Sequence, residues 1–320
     1  MSRYNFLQLK VCFVGVGSIA SKHIVNLREI CEAENISLSI DALRRKSPDA
    51  KEIYEAAKFI DNVYHEADEL PDDYDVIFIT NPTKLHVNTL IKVKEKAEFF
   101  FVEKPVSTFE QLEEAEKFAD SVESCKYYVA CPLRYTDVIE YLSENVKEDE
   151  VVAVRSICSS YLPEWRPGTD YRQCYSANKS LGGGVAVDLI HEWDYLTFLF
   201  GFPQRVQSMF TKKSSLEMDV EDCALYLAEY ENMTMELHLD YYGRKSIREV
   251  QIFTGEDTIV GDFINNRVAY LKDGKVLEFA GTGKDVSKRE LLHFLDIISG
   301  KVDNDNNIEN SIEVLRLTKS

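Results

Sequence analysis

Hydrophobic and polar positions follow one pattern up to about residue 130 and another beyond it. In the first part, short apolar runs alternate with segments in which apolar residues recur at helical spacing. The runs predict strands at Lys10 to Val14, Ile36 to Leu43, Val76 to Thr80, Phe99 to Val102 and Tyr127 to Ala130. The segments between them predict helices at Asp49 to Phe59, Leu85 to Lys96 and Thr108 to Ser121. This alternation indicates right-handed crossovers and a parallel sheet that is covered on both faces.

From about Val151, closely spaced strands with alternating apolar and polar residues replace this pattern. They are predicted at Ala224 to Tyr230, Met233 to Tyr241 and Arg248 to Thr254, and the alternation is typical of an antiparallel sheet with one covered face. We therefore expect an α/β fold with a doubly wound parallel sheet in residues 1–132. Residues 133–320 are expected to form an α/β substrate-binding and oligomerisation domain with an open, predominantly antiparallel sheet. For the last helix, packing back on the first domain is the alternative to packing within the second.

Composition narrows the class of protein. A chain of 320 residues is long for one hydrophobic core, and 45% hydrophobic with 29% charged residues is typical of a globular protein. The net charge of −18 argues against nucleic acid and anionic membranes as partners, because both require basic surfaces. The first residues lack a signal-peptide core, and no apolar run approaches the ~18 residues of a membrane span. Seven cysteines without a Cys-x-x-Cys pair suggest free thiols, a cytoplasmic protein and no metal site.

The first buried strand leads directly into a glycine-rich turn. It ends in a Gly-x-Gly-x-x-Ala motif, which is followed by a segment with helical spacing. In this context the first glycine permits a tight turn, the second lets backbone N–H groups approach a pyrophosphate, and the alanine keeps helix and strand close. The motif predicts a Rossmann dinucleotide-binding domain, with an ordinary strand–helix turn as the alternative. The predicted cofactor-binding residues are Gly15, Gly17, Ser18, Ile19 and Ala20.

The end of the second predicted strand bears on which cofactor is bound. An acidic residue about 20 positions after the glycines would bind the ribose 2′-hydroxyl of NAD. Asp41 is close to that count, but it lies within the strand, whereas Arg44, Arg45 and Lys46 follow at the tip. Three cations suit a 2′-phosphate, so the sequence favours NADP, with NAD and a solvated basic turn as the alternatives.

Three further motifs place polar side chains where ligands are expected. Thr80-Asn81-Pro82 and Glu103-Lys104-Pro105 each follow a buried strand, at the end where open α/β sheets bind ligands. Later, Gly182-Gly183-Gly184 precedes a helical pattern on which Asp188 and His191 share a face. A carboxylate beside an imidazole can orient it for general acid/base work. Taken singly, the Glu-Lys-Pro triplet is a common turn, and the Asp188–His191 segment is better explained as a capped helix with a hydrogen-bonded histidine.

The ordered set of motifs resembles the glucose–fructose oxidoreductase / inositol dehydrogenase / MocA family of NAD(P)-dependent oxidoreductases. The set comprises the glycine motif with His23, Asn81-Pro82-x-x-x-His86, Glu103-Lys104-Pro105, and the Gly-Gly-Gly-x-x-x-Asp188…His191-x-x-Asp194 segment. The resemblance covers nearly the whole chain. It implies that Lys104 contacts nicotinamide and the substrate hydroxyl, and that His191 is the acid/base with Asp188 as its partner. Further cofactor contacts are expected from Thr80, Asn81, Pro82, His86 and Glu103.

The family usually places four steps between that aspartate and histidine, whereas Asp188 and His191 are three apart. One residue is therefore missing between them, and this makes Asp188 the weaker assignment of the two.

An aromatic and arginine-rich loop precedes the three glycines. Arginine can bind carboxylate or phosphate groups bidentately, and aromatic faces stack on sugar or base rings. We predict substrate binding by this loop and by the catalytic residues; the alternative is an interdomain or subunit contact. The predicted substrate-binding residues are Lys104, Arg134, Trp165, Arg166, Tyr171, Arg172, Asp188 and His191.

The resemblance implies hydride transfer between NAD(P) and a hydroxyl or carbonyl carbon of a sugar, cyclitol or nucleotide-sugar. Surface-polysaccharide sugar biosynthesis is a candidate setting, and a homodimer or homotetramer is expected. The alternatives are an NAD-using glycosidase-like enzyme of the same fold, a reductase of another small carbonyl, and a non-catalytic NAD(P)-binding regulator.

Overall fold

The computed structural model describes residues 3–45, 55–281 and 285–320. The chain divides into two compact units. The first comprises Met1–Ala130 with Ser287–Ile312, and the second comprises Cys131–Val286 with Glu313–Ser320. Each unit is built on its own sheet.

The first unit contains a six-stranded sheet in which every neighbouring pair is parallel. Its strands are β1 (Gln8–Val14), β2 (Ser37–Leu43), β3 (Asn62–Tyr64), β4 (Tyr74–Ile79), β5 (Ala97–Val102) and β6 (Tyr127–Val129). Their order is β3-β2-β1-β4-β5-β6, so the order reverses between β1 and β4, where doubly wound sheets bind ligands. Between strands lie the helices α1 (Ser18–Glu34), α2 (His86–Val93) and α3 (Leu112–Ala119).

Stacked aromatic rings form the centre of the first core. Phe13 on β1 stacks on Phe78 of β4 with ring centroids 4.4 Å apart, and Phe78 lies 5.1 Å from Phe101 on β5. A helix near the end of the chain, α7 (Val286–Ile298), places Phe294 edge-on against Phe101, with ring centroids 5.3 Å apart. This sequence-distant helix is thus bound to the parallel sheet by apolar contact.

The second unit contains an eight-stranded sheet of order β14-β13-β12-β11-β7-β10-β9-β8, parallel at β7–β10 and antiparallel elsewhere. Its strands are β7 (Val151–Tyr161), β8 (Arg205–Thr211), β9 (Cys223–Glu229), β10 (Thr234–Asp240), β11 (Tyr242–Thr254), β12 (Thr258–Asp262), β13 (Arg267–Tyr270) and β14 (Lys275–Glu278). Its α-helices are α4 (Asp137–Asn145), α5 (Val185–Asp188) and α6 (Ile190–Phe200). The last helix of the chain, α8 (Ile308–Leu317), begins among residues of the first unit and ends among residues of the second.

One face of this second sheet is covered and the other is open. Trp193 on α6 is fully buried and meets Tyr226 of β9 edge-on, with centroids 5.2 Å apart. On the opposite side of the same strands, Met209 and Leu227 are 53% and 59% exposed. The alternation of β10 follows this division, with Leu237 buried and Glu236 exposed.

The predicted fold class is confirmed, since a parallel sheet is followed by a mostly antiparallel one. Every strand predicted in the first part is present within a few residues of its predicted bounds. β3 was missed because it has only three residues, two of them exposed. The helix predicted over Asp49 to Phe59 lies partly outside the described residues, and its described part, Glu55–Phe59, is a 3₁₀ helix. None of the helices in the described ranges is long and apolar enough to cross a membrane.

Candidate functional site

The glycine turn after β1 is held from three sides, so that its first residue must be glycine. Gly15 has a φ of +84°, and its N–H donates to the carbonyl of Leu43 at 2.9 Å. The Thr80 hydroxyl donates to the carbonyl of Gly15 at 2.7 Å. A Cβ at Gly15 would lie 2.9 Å from Cα of Asn81, which is too close for any side chain. The turn is thereby fixed against the end of β4.

The start of α1 is open where a phosphate group would approach. Gly17 is its N-cap, and no side chain of the described residues caps the helix. A Cβ added at Gly17 would meet no described atom within 4 Å. Ser18 and Ile19 are exposed, whereas Ala20 is fully buried against the sheet. Exposed backbone N–H groups and the positive end of the helix dipole fit the pyrophosphate of a dinucleotide.

Asp41 and the pair Arg44 and Arg45 are the candidates at the end of β2 for selecting NAD or NADP, and they differ in their surroundings. Asp41 is buried within the strand, and its carboxylate accepts hydrogen bonds from the Tyr74 hydroxyl at 2.7 Å and the Asn62 amide at 2.8 Å. Arg44 and Arg45 follow the last residue of β2; Arg44 is half-buried and Arg45 is exposed. The Asp41 carboxylate is therefore engaged by hydrogen bonds within the fold, whereas Arg44 and Arg45 lie at the end of β2. Lys46, also predicted there, lies outside the described residues.

The loops after β4 and β5 are joined by His86 at the start of α2. Its two ring nitrogens lie 2.8 Å from the carbonyl oxygen of Asn81 and 3.0 Å from that of Pro105. Burial lowers the pKa of His86, although the two carbonyl contacts oppose this. The side-chain amide of Asn81 donates to Thr89 at 2.8 Å. His86 thus positions both loops, which carry the predicted cofactor-binding residues Thr80, Asn81, Pro82, Glu103 and Lys104.

Glu103 anchors the Glu-Lys-Pro loop to α1. Its carboxylate lies 2.6 Å from Nε2 of the buried His23. Burial opposes ionisation of Glu103, but the contact with His23 and the charge of Lys104 outweigh it and lower the pKa. Lys104 is half-buried directly after this anchor. The sequence predicted Glu103 as a cofactor contact, and the structure places its carboxylate on His23.

The three glycines before α5 pack against backbone and carboxylate atoms. A Cβ at Gly183 would lie 2.1 Å from the carbonyl oxygen of Tyr175. Gly184 has a φ of +124°, and a Cβ there would lie 2.6 Å from the Glu221 carboxylate. These positions therefore require glycine, and they bring the start of α5 close to the preceding loop.

Asp188 and His191 lie on two consecutive helices instead of one face of a single helix. α5 ends at Asp188, Leu189 leaves helical geometry with a ψ of +23°, and α6 begins at Ile190. The Asp188 carboxylate accepts hydrogen bonds from the Ser176 hydroxyl at 2.5 Å and the Tyr241 hydroxyl at 3.0 Å. The partnership of Asp188 with His191 stays a prediction.

His191 lies beside an ion pair whose carboxylate is fully buried and whose arginine is partly exposed. Arg248 Nη2 is 2.6 Å from His191 Nε2, and Glu192 Oε1 is 3.2 Å from the same nitrogen. Arg248 Nε is 2.9 Å from Glu192 Oε1. Burial opposes ionisation of Glu192, but the charge of Arg248 and the contact with His191 lower its pKa. Sequence reasoning missed both partners: Glu192 adjoins His191, whereas Arg248 is brought there only by the sheet.

Arg134, predicted to bind substrate, forms a buried bidentate pair. Its Nε and Nη2 donate to the two carboxylate oxygens of Asp194 at 3.0 and 2.8 Å, and both residues are buried. This pair joins the segment before α4 to α6. A contact of Arg134 with substrate stays a prediction.

The aromatic and arginine-rich loop is partly fixed by its own contacts. The Trp165 indole N–H donates to Ser160 at 2.9 Å, and its ring lies edge-on to Tyr241 at 5.3 Å. Tyr241 also donates a hydrogen bond to Asp188, so it contacts both Trp165 and Asp188. Arg172 pairs with Asp170 and Glu217 at the surface, and Arg166 is exposed. The Tyr171 hydroxyl accepts the Glu217 N–H at 2.9 Å.

Across the described ranges, no group of three or more His, Cys, Asp or Glu side chains could hold a metal ion. In the first unit, the glycine turn and the open start of α1 have the geometry that fits the pyrophosphate of a dinucleotide.

Family models match most of both units. Residues 9–130 match the oxidoreductase family with an NAD-binding Rossmann fold, and residues 139–262 match the GFO/IDH/MocA C-terminal domain. An uncharacterized oxidoreductase, YrbE of Bacillus subtilis (strain 168), is 24% identical over 91% of this chain and 86% of its own length.

Two solved structures share the fold over almost the whole chain. The WlbA dehydrogenase from Bordetella pertussis, in complex with NADH and UDP-GlcNAcA, is 15% identical with a TM-score of 0.77, over 97% of this chain and 94% of its own. A levoglucosan dehydrogenase in complex with NADH and levoglucosan is 17% identical with a TM-score of 0.81, over 97% and 95%.

Proposed function

Because the chain belongs to the glucose–fructose oxidoreductase / inositol dehydrogenase / MocA family of NAD-binding oxidoreductases, we propose that its substrate is a sugar, cyclitol or nucleotide-sugar. The reaction is hydride transfer between NAD(P) and a hydroxyl or carbonyl carbon of that substrate. The observation that carries the proposal is the glycine turn, in which Gly15 is fixed against Asn81 while Gly17 opens onto free space at the uncapped start of α1. Two proteins of the same fold bind NADH together with a sugar or a nucleotide-sugar.

The proposed cofactor is NADP. The turn from Gly15 to Ala20 would hold the pyrophosphate, and Arg44 and Arg45 would pair with the 2′-phosphate. The buried hydrogen bonds of Asp41 support this choice, because they occupy the carboxylate that an NAD-type site would use. When bound, the nicotinamide supplies or accepts the hydride.

The proposed chemistry at the substrate oxygen belongs to Lys104 and His191. Lys104 stabilises charge or holds a proton at that oxygen, and His191 acts as acid/base. Asp188 is the proposed partner of His191, and the hydrogen bonds from Ser176 and Tyr241 hold its carboxylate in place. We assign substrate contacts to Trp165, Arg166, Tyr171 and Arg172, whose aromatic faces and guanidinium groups suit sugar rings and anionic groups.

We further propose a homodimer or homotetramer that uses the open face of the second sheet. A groove of about 640 Å³ crosses this face, and its lining includes Met209, Leu227 and Ile247. These side chains are 40–59% exposed, and a second copy would remove them from water. A cytoplasmic location is supported by the cysteines, since all seven lie in the described ranges and none of them is in a disulfide there.

The proposed function is tested with purified protein, both oxidised cofactors and a panel of sugars, cyclitols and nucleotide-sugars. We expect a substrate-dependent change in cofactor absorbance for at least one of these classes. The His191→Ala variant serves as the control for contaminating dehydrogenases. A product formed without net cofactor turnover would instead indicate the glycosidase-like alternative, and cofactor binding without any product would indicate the regulator.

A further inference from the structure

His191 is bound on one side by two charged residues, and we infer that this pair determines which ring nitrogen carries the proton. The pair consists of Arg248 on β11 and Glu192 on α6, both within hydrogen-bonding or ion-pairing distance of Nε2. With His191 they are called the His191 cluster below. For its catalytic meaning, the inference rests on the function proposed above.

The chemistry of the guanidinium group decides the position of the proton. An arginine side chain has five N–H donors and no acceptor, and it stays charged in proteins. Arg248 Nη2 lies 2.6 Å from Nε2 of His191, so Nε2 of the neutral ring must accept this hydrogen bond and carry no proton. A neutral imidazole has one N–H. The proton of His191 is therefore on Nδ1.

Neighbouring elements hold the Arg248 side chain in this position. Arg248 stands directly opposite Cys158 of β7 in the strand register, and the two side chains are in contact. Glu192 has no exposed surface, and its charge lies 2.9 Å from Arg248 Nε. Tyr195, three residues further along α6, contacts Glu192 and shares a 2.8 Å hydrogen bond with Ser156 of β7. The cluster is thus supported by both strands and by α6.

This tautomer gives His191 a defined capability. Nε2 accepts the hydrogen bond from Arg248, so the neutral ring carries its one N–H donor at Nδ1. In this tautomer the lone pair that can take a proton is on Nε2, so base action by His191 first requires that Arg248 release that nitrogen. Arg248 and Glu192 are positioning residues, since they act through His191.

The position of the proton can be measured directly by nitrogen NMR. The chain has six histidines, so protein labelled with ¹⁵N in histidine gives a simple two-bond ¹H–¹⁵N spectrum. At pH 8.5 an ordinary imidazole, with a pKa of ~6.5, is neutral. The His191→Gln variant identifies the His191 signals by their loss. We expect the chemical shift of a protonated nitrogen at Nδ1 and of an unprotonated nitrogen at Nε2; the reverse would overturn the inference.

Variants test whether Arg248 is the cause. Arg248→Met removes the donor and leaves Glu192, so the proton should move to Nε2 and face that carboxylate. Arg248→Lys keeps a charged donor and should keep the wild-type tautomer. Arg155→Met is the matched control, because Arg155 forms an exposed pair with Glu236 on the same sheet. A tautomer unchanged in Arg248→Met would refute the role of Arg248.

Because Arg248→Met leaves a buried carboxylate without its cation, it can fail to fold. The wild-type spectrum then decides the inference alone, since it needs no Arg248 variant. No substrate is needed either, so failure of this inference and failure of the proposed function are separate results.

Discussion

At the scale of single residues, the proposed preference for NADP rests on Arg44 and Arg45. We predict that the protein binds NADPH more tightly than NADH, because a charge-assisted hydrogen bond to the 2′-phosphate contributes ~1.5–3 kcal/mol. Arg44→Ala and Arg45→Ala should each weaken NADPH binding about tenfold or more and leave NADH binding nearly unchanged. Calorimetric titration with both cofactors measures this.

The control for this titration is Lys117→Ala, which removes an exposed cation from α3 of the same unit. It should leave the affinity for both cofactors unchanged. Equal affinities of the wild-type protein for NADPH and NADH would contradict the assignment. So would a preference for NADH that survives Arg44→Ala.

At the scale of elements, the two glycines of the turn between β1 and α1 have different roles: Gly15 is needed for the fold, and Gly17 for the approach of the cofactor. Gly15→Ala should destabilise the first unit by ~1–3 kcal/mol, because the residue has a positive φ and no room for a Cβ. Gly17→Ala meets open space, so its free energy of unfolding should change by less than ~0.5 kcal/mol. Its added methyl group should nevertheless weaken dinucleotide binding, which requires close backbone approach.

Chemical denaturation and cofactor fluorescence on the two variants provide the comparison. We expect Gly15→Ala to lose both stability and binding, and Gly17→Ala to lose binding alone. Wild-type cofactor affinity in Gly17→Ala would show that the pyrophosphate does not lie at the start of α1.

Elements whose signals are local could be predicted from the sequence. The glycine motif encodes its own turn, because a tight turn and close packing each require a particular residue type. The break at Leu189 could not be predicted, since the helical pattern continues through it from Val185 into α6. It separates Asp188 from His191 and thereby gives the two residues different neighbours.

Contacts between residues that are distant in the sequence could not be predicted either, because they depend on strand pairing. Arg248 is 57 residues from His191, and only the pairing of β11 with β7 brings it beside α6. In the same way, Asp41 was placed correctly within its strand, but its hydrogen bonds from Tyr74 and Asn62 depend on neighbouring strands. Periodicity predicts which face a residue lies on, whereas register decides what it meets.

At the scale of the whole molecule, the open face of the second sheet predicts self-association. Leu227→Glu places a charge among exposed apolar side chains and should convert the oligomer to monomers at micromolar concentration. Leu271→Glu is the control, because Leu271 is similarly exposed but follows β13. Light scattering with size-exclusion chromatography measures both masses. A monomeric wild-type protein, or an oligomeric Leu227→Glu variant, would contradict the proposed interface.

In the proposed chemistry, Lys104 and His191 both act on the reacting oxygen. Steady-state turnover of Lys104→Ala and His191→Ala, on a substrate found in the panel, tests it most directly. We predict that each variant loses at least ~10²-fold in kcat, with an unchanged circular dichroism spectrum. The double variant should lose less than the product of the two effects, because both residues serve one oxygen. Near-normal turnover of folded His191→Ala would contradict the account and leave Lys104 alone at the chemistry.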